Sequence, residues 1–91
     1  IYSAAKAGLE AITKGLAREL APEIKVNAIA PGAMLEPPDV TWTEEQKNKV
    51  IDSIPLKRMG SEKDIAEAVK FLANSDYITG QIIKVDGGRS L

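Results

Sequence analysis

Two stretches of this chain read as strands, and both carry too few polar residues to leave one face in water. The first is Ile24-Lys25-Val26-Asn27-Ala28-Ile29-Ala30, short, β-branched and bounded by Pro22 and Pro31. The second runs from Gln81 to Asp86 and is ended by Gly87-Gly88. Strands of this kind belong to parallel sheets whose two faces are covered by helices. Such a sheet needs several strands, and the others are not found within these 91 residues. The pattern therefore predicts the carboxyl-terminal part of a larger α/β protein. Ile1, standing where a translated chain has methionine and directly inside a helical pattern, points the same way, to an interior cut.

Three helical patterns accompany the strands. From Tyr2 to Leu20, apolar residues recur at Leu9, Ile12, Leu16 and Leu20, and Ala4, Ala7, Gly8, Ala11 and Gly15 form a small-residue face that another backbone could approach closely. Pro22 ends that helix. Residues 33–42 hold no sustained period, and Pro37-Pro38 forbids a regular element there, so a loop is expected. Thr43 with Gln46 has the capping-box spacing and predicts a short helix to about Ser53, with Val50 and Ile54 on its buried side. Ser61 with Asp64 is a second start signal, and Ile65, Ala68, Val69 and Leu72 carry a helical stripe to about Asn74.

Composition removes several classes of function. Twelve lysines and arginines against 13 aspartates and glutamates leave a net charge of −1, which offers no electrostatic case for nucleic acid or an anionic membrane. With no cysteine and no histidine, the chain supplies no thiolate, disulfide, imidazole base or zinc-finger ligand, and no metal site is expected. No apolar run reaches the roughly 18 residues of a membrane span, so a soluble, cytoplasmic protein is expected.

Tyr2 and Lys6 stand four apart and share one helix face, with Cβ atoms about 6 Å apart. A phenol of ordinary pKa near 10 is a poor acid or base at neutral pH, and a neighbouring ammonium favours the phenolate and lowers that value. The pair is a candidate general acid. Ser3-Ala4-Ala5-Lys6 also matches the S-x-x-K pattern of penicillin-recognising acyl transferases, but the accompanying S-D-N and K-T-G elements do not occur. Gly87-Gly88 is expected to be a turn and not a phosphate cradle, because no helix follows it.

The order of motifs is more specific than any one of them. Tyr2 and Lys6 on a small-residue helix, then Val26-Asn27-Ala28-Ile29-Ala30-Pro31-Gly32, then Tyr77-Ile78-Thr79-Gly80-Gln81 and Val85-Asp86-Gly87-Gly88, resemble the short-chain dehydrogenase/reductase family across essentially all of the chain. The resemblance implies a doubly wound, Rossmann-like parallel sheet with flanking helices. Residues 1–91 would form the carboxyl-terminal portion of one domain whose amino-terminal dinucleotide-binding half is absent. It implies that Tyr2 protonates a substrate oxygen as hydride arrives from a nicotinamide, and that Lys6 lowers the tyrosine pKa and holds the nicotinamide ribose. Pro31, Gly32, Ala33 and Met34 are carried over as cofactor contacts, largely through backbone. Many members place threonine four residues after that glycine, where this chain has Glu36, so the loop diverges. The glycine-rich dinucleotide loop and the family's catalytic serine and asparagine would precede Ile1.

Within the family, the stretch 36–42 together with Ile54-Pro55-Leu56-Lys57-Arg58 and Gly87-Gly88-Arg89-Ser90-Leu91 resembles the pteridine reductase branch. Trp42, Met34 and Leu35 would then wall a flat heteroaromatic ring, to which aromatic faces offer large contact area at low rotamer cost. The expectation is an NADPH-dependent reductase of a carbonyl or imine, with NADH the alternative cofactor and a pterin or dihydrofolate-type ring the favoured small-molecule substrate. The alternatives are a 3-oxoacyl-(acyl-carrier-protein) reductase, another short-chain carbonyl reductase, or a non-catalytic assembly module of the same fold. The helix faces 2–20 and 61–74 exceed what one sheet layer covers, and the resemblance implies a homotetramer. The 91-residue segment alone is expected to be inactive.

Overall fold

The computed structural model describes residues 4–32 and 41–91. In chain order they form α1 (Ala4–Leu20), β1 (Ala28–Pro31), α2 (Glu44–Asp52), α3 (Glu62–Ala73) and β2 (Ile82–Val85). The two strands pair in parallel, with Ala28 opposite Ile82 and Pro31 opposite Val85. Parallel neighbours need a long crossover, and the segment holding α2 and α3 supplies it. Helix α3 packs against both strands.

Local chemistry sets the helix starts. The Thr43 hydroxyl accepts from the Gln46 amide at 3.1 Å, and the Gln46 side chain accepts from the Thr43 amide at 2.9 Å, closing the expected capping box of α2. At α3 the Ser61 amide and hydroxyl both donate to Asp64 Oδ2, at 2.8 and 3.1 Å. The same carboxylate takes a two-pronged ion pair from Arg58, at 2.9 and 3.0 Å. Asp64 thus pins the start of α3 to the preceding loop. The fork, and secondarily the Ser61 amide, hold its carboxyl well below the ordinary carboxylate range.

The first strand is shorter than its apolar run predicts. Residues 24–27 lie outside the ladder and are held by a mix of backbone and side-chain bonds. The Val26 amide donates to Thr79 Oγ1 at 3.0 Å, and the Gly80 amide donates to the Val26 carbonyl at 2.7 Å. Asn27 uses both ends of its amide: Nδ2 donates to the Ile78 carbonyl and Oδ1 accepts from the Gln81 amide, each at 3.0 Å. Lys25 Nζ donates to the Ser75 carbonyl. Regular pairing starts only at Ala28, whose amide donates to the Gln81 carbonyl at 2.9 Å. At the other end Pro31, which needs no partner for a missing N–H, takes the last place in the strand.

Burial is narrow. Among the described residues the buried apolar side chains are Ala17, Ile54 and Leu72, of which Ile54 is fully covered, and Thr13 is the buried polar one. On α1 the sheet-facing residues are therefore Thr13 and Ala17, and the Thr13 hydroxyl is satisfied by the Leu9 carbonyl at 2.7 Å. Leu9, Ile12, Leu16 and Leu20 are left exposed, as are Val69 and Phe71 of α3. A two-stranded sheet covers only a strip of each helix. Among the described residues no helix is long and apolar enough to cross a membrane.

Candidate active site

Helix α1 brings Lys6 to the sheet. Lys6 lines a cleft of about 240 Å³ together with Leu9, Glu10 and Lys14 of α1 and Ala30 and Ile82 of the two strands. Lys14 is tied to Glu10 by an i,i+4 ion pair of 2.8 Å on the same wall. The other end of α1 is held close to the start of β2, since a Cβ added at Gly80 would lie 3.4 Å from the Ala17 Cβ. Thus the lysine singled out by its spacing and Ala30, directly before Pro31, face one concavity. The cleft also takes in Gly80 and Gln81, just ahead of β2, and Lys84, so it runs along the sheet from the amino end of β2, and Pro31 and Gly32 are not among its lining residues.

Gly32, the residue after β1, is tightly seated. The Gly32 amide donates to the Val85 carbonyl at 2.9 Å, extending the ladder by one bond. A Cβ at Gly32 would fall 2.4 Å from the Asp86 Cβ and 2.6 Å from its Cα, so no side chain fits there. Glycine is required by close backbone approach. Asp86 is itself braced: its carboxylate accepts from the Gly88 amide at 3.0 Å and the Ser90 amide at 3.2 Å. Hydrogen bonding by Ser90 foremost, then by Gly88, outweighs burial and keeps this carboxyl below its ordinary range.

Gly87-Gly88 forms a turn, as expected. Both residues have positive φ, 62° and 89°, and a Cβ at Gly87 would meet Ile54 Cγ2 at 2.7 Å. The Leu56 amide donates to the Gly87 carbonyl at 3.1 Å, which fastens the loop after α2 to the end of β2.

Of the expected site residues, Tyr2, Ala33, Met34 and Leu35 lie outside the described residues, as does Glu36. Lys6, Pro31, Gly32 and Trp42 are described. Trp42 is half-buried immediately before the Thr43 cap and is not among the residues lining the Lys6 cleft. The sequence reading missed Asp86 as the support of Gly32. Its only advance signal was a β-strand ending in an aspartate before paired glycines.

Two parallel strands joined by a helical crossover place the chain in the class of doubly wound α/β folds. The family model described as Enoyl-(Acyl carrier protein) reductase matches residues 1–90, and the chain belongs to the short-chain dehydrogenase/reductase family. It is 46% identical over 95 residues to glucose 1-dehydrogenase of Gluconobacter oxydans, covering 99% of this chain and 36% of that one. It is 47% identical over 90 residues to the 3-oxoacyl-(acyl-carrier-protein) reductase FabG of Staphylococcus epidermidis, covering 96% and 37%. Carbonyl reductase family member 4 of Danio rerio is 46% identical over 92 residues, 100% of this chain and 38% of that protein. The chain therefore spans little more than a third of these relatives' length.

Solved structures agree on the fold. A short chain dehydrogenase from Bacillus anthracis superposes with TM-score 0.81 at 40% identity, over 97% of this chain and 36% of that one. One from Leptospira borgpetersenii with bound NAD+ gives 0.81 at 38%, over 94% and 34%. A small-chain dehydrogenase in complex with NADPH also gives 0.81 at 38%, over 92% and 40%. The strands and helices described above correspond to the carboxyl-terminal part of that doubly wound sheet.

Proposed function

We propose that this chain forms the proton-donating and nicotinamide-side part of an NAD(P)-dependent reductase of carbonyl or imine substrates. The observation that carries the reading is the shared cleft: Lys6, one helical turn from Tyr2 in sequence, lines it with the end of the strand that leads into Pro31-Gly32. A nicotinamide riboside is the ligand this reading assigns to the cleft: the Lys6 ammonium is a donor suited to a sugar diol, and Pro31 and Gly32 follow Ala30 on the strand without lining the cleft themselves. When bound, the nicotinamide would supply the hydride. Tyr2 holds the proton delivered to the substrate oxygen, and the Lys6 charge favours the phenolate left behind. Pro31, Gly32, Ala33 and Met34 are the proposed contacts to the nicotinamide, largely through backbone. NADPH is the proposed cofactor, with NADH the alternative; relatives of this fold are found with either.

On substrate, the relatives favour the carbonyl class, because a 3-oxoacyl thioester reductase and a carbonyl reductase stand at 46–47% identity. The pterin reading retains one supporting observation, the half-buried Trp42 at the mouth of a segment with no lysine or arginine from 26 to 46. A basic entrance for a carrier-bound acyl chain would then have to come from Lys57, Arg58 or the remainder of the protein. The whole enzyme is proposed to be cytoplasmic and to assemble as a homotetramer over the exposed apolar residues of α1 and α3, with the other two-thirds of the family's chain length completing the sheet. Steady-state assays of the complete protein with acetoacetyl thioester and with dihydrobiopterin decide the substrate. Efficient thioester reduction with no pterin turnover is the expected result, and the reverse would reinstate the pterin ring.

A further inference from the structure

Asp86 lies outside the cleft, yet its surroundings connect it to Gly32. Its Cα and Cβ form the wall on which the Gly32 Cα rests, closely enough that an added methyl would overlap both. Two further groups of contacts hold that wall from behind. The Asp86 carboxylate gathers the amides of Gly88 and Ser90, and the Asp86 carbonyl accepts from the Arg89 amide at 3.1 Å. The turn so formed is closed by Leu91, whose amide donates to the Gly88 carbonyl at 3.0 Å. It is also blocked from the far side by Ile54, against which Gly87 fits without room for a Cβ. The chain from 86 to 91 is thus a bracket with one face on the α2 loop and the other on Gly32.

We propose that Asp86 is a positioning residue for the nicotinamide, acting through Gly32. Its side chain folds residues 87–91 into a bracket, and its backbone fixes where Gly32 sits after β1. The inference rests on the cofactor role given above to Pro31 and Gly32. A displacement well under a bond length at Gly32 moves a contact the cofactor must meet, while the proton-donating pair on α1 is untouched.

The test uses the complete protein and NADPH as the varied ligand. Asp86→Ala loses both carboxylate bonds and is expected to weaken NADPH binding about tenfold, read as Kd by titrating the nicotinamide fluorescence, with the NADPH KM raised in step and kcat also lowered as the ring is misplaced. Asp86→Asn keeps an acceptor for the Gly88 amide and loses the one for Ser90, so it is expected to recover most of the loss, leaving KM about threefold high. An unchanged KM in Asp86→Ala, or a fall in kcat alone, overturns the inference. If Asp86→Ala is not recovered folded, Asp86→Asn decides: a raised KM supports positioning and a wild-type KM overturns it. Normal NADPH binding by the wild type with unchanged KM in the variants overturns this inference alone. Failure of the wild type to bind NADPH or NADH overturns it together with the proposed function.

Discussion

Replacing Ile54 by alanine should be among the most costly single changes in this part of the protein. Ile54 is 1% exposed and is held on both sides by backbone, with its amide donating to the Ile51 carbonyl at 3.0 Å and its carbonyl accepting from the Lys57 amide at 2.8 Å. The substitution removes three carbon groups, worth about 2.4 kcal/mol at roughly 0.8 kcal/mol each. The cavity term adds to this, because the wall facing the missing atoms is Gly87 at a φ of 62° that cannot follow inward without losing its turn. A total of about 3–4 kcal/mol is expected, inside the range for large-to-small core changes. At roughly 2–4 °C per kcal/mol for a domain of some 150–250 residues, the melting temperature of the complete protein should fall by about 6–16 °C. Ile54→Val should cost only about 1 kcal/mol. Urea unfolding of both variants with unchanged m-values checks the ratio. A cost below about 1 kcal/mol for Ile54→Ala would refute the view that Ile54 is the anchor between the α2 loop and the end of β2.

Other outcomes follow from the same geometry. Asp64 has its pKa lowered on folding, so its contribution to stability is present above the unfolded carboxylate value, near 3.9, and is lost as pH falls through the lower folded value. The melting-temperature difference between wild type and Asp64→Asn should therefore be constant near neutrality and shrink below about pH 4; a difference that grows with acid would contradict the Arg58 fork. Lys6→Met in the complete protein should raise the cofactor KM and lower kcat together, and a change confined to one of them would remove Lys6 from one of its two proposed roles. The 91-residue segment alone, with a two-stranded sheet and Leu9, Ile12, Leu16 and Leu20 exposed, should show neither a cooperative thermal transition as a monomer nor turnover. A sharp transition from the monomeric segment would overturn that expectation.

What could be read from the residues was what neighbours in sequence determine. The starts of α2 and α3 lay in side chains three positions from their partners, Thr43 with Gln46 and Ser61 with Asp64, and the structure forms hydrogen bonds at both. The parallel pairing followed from two-faced apolar runs and a crossover long enough to hold two helices. The bounds of β1 were not legible, because residues 25–27 are claimed by groups at 75–80, far along the chain. Apolar spacing on α1 marked a stripe, while the residues covered, Thr13 and Ala17, lie to one side of that stripe. For the site, the spacing of Tyr2 and Lys6 singled out Lys6, and the structure places Lys6 on a cleft with Ala30. The seat of Gly32 on Asp86 is a contact between remote backbones, and its only local traces are the glycine itself and an aspartate at the end of β2 before paired glycines.

The central claim is that Tyr2 gives a proton while a nicotinamide gives a hydride to the same substrate. It is tested by turning over the complete protein and its Tyr2→Phe variant with an acetoacetyl thioester and NADPH deuterated at the transferable C4 position. The wild-type product should carry one deuterium on the new carbinol carbon. The variant should bind NADPH normally yet turn over at least about a hundredfold more slowly, as loss of a general acid costs. Unlabelled product, or near-normal turnover by Tyr2→Phe, would contradict the account.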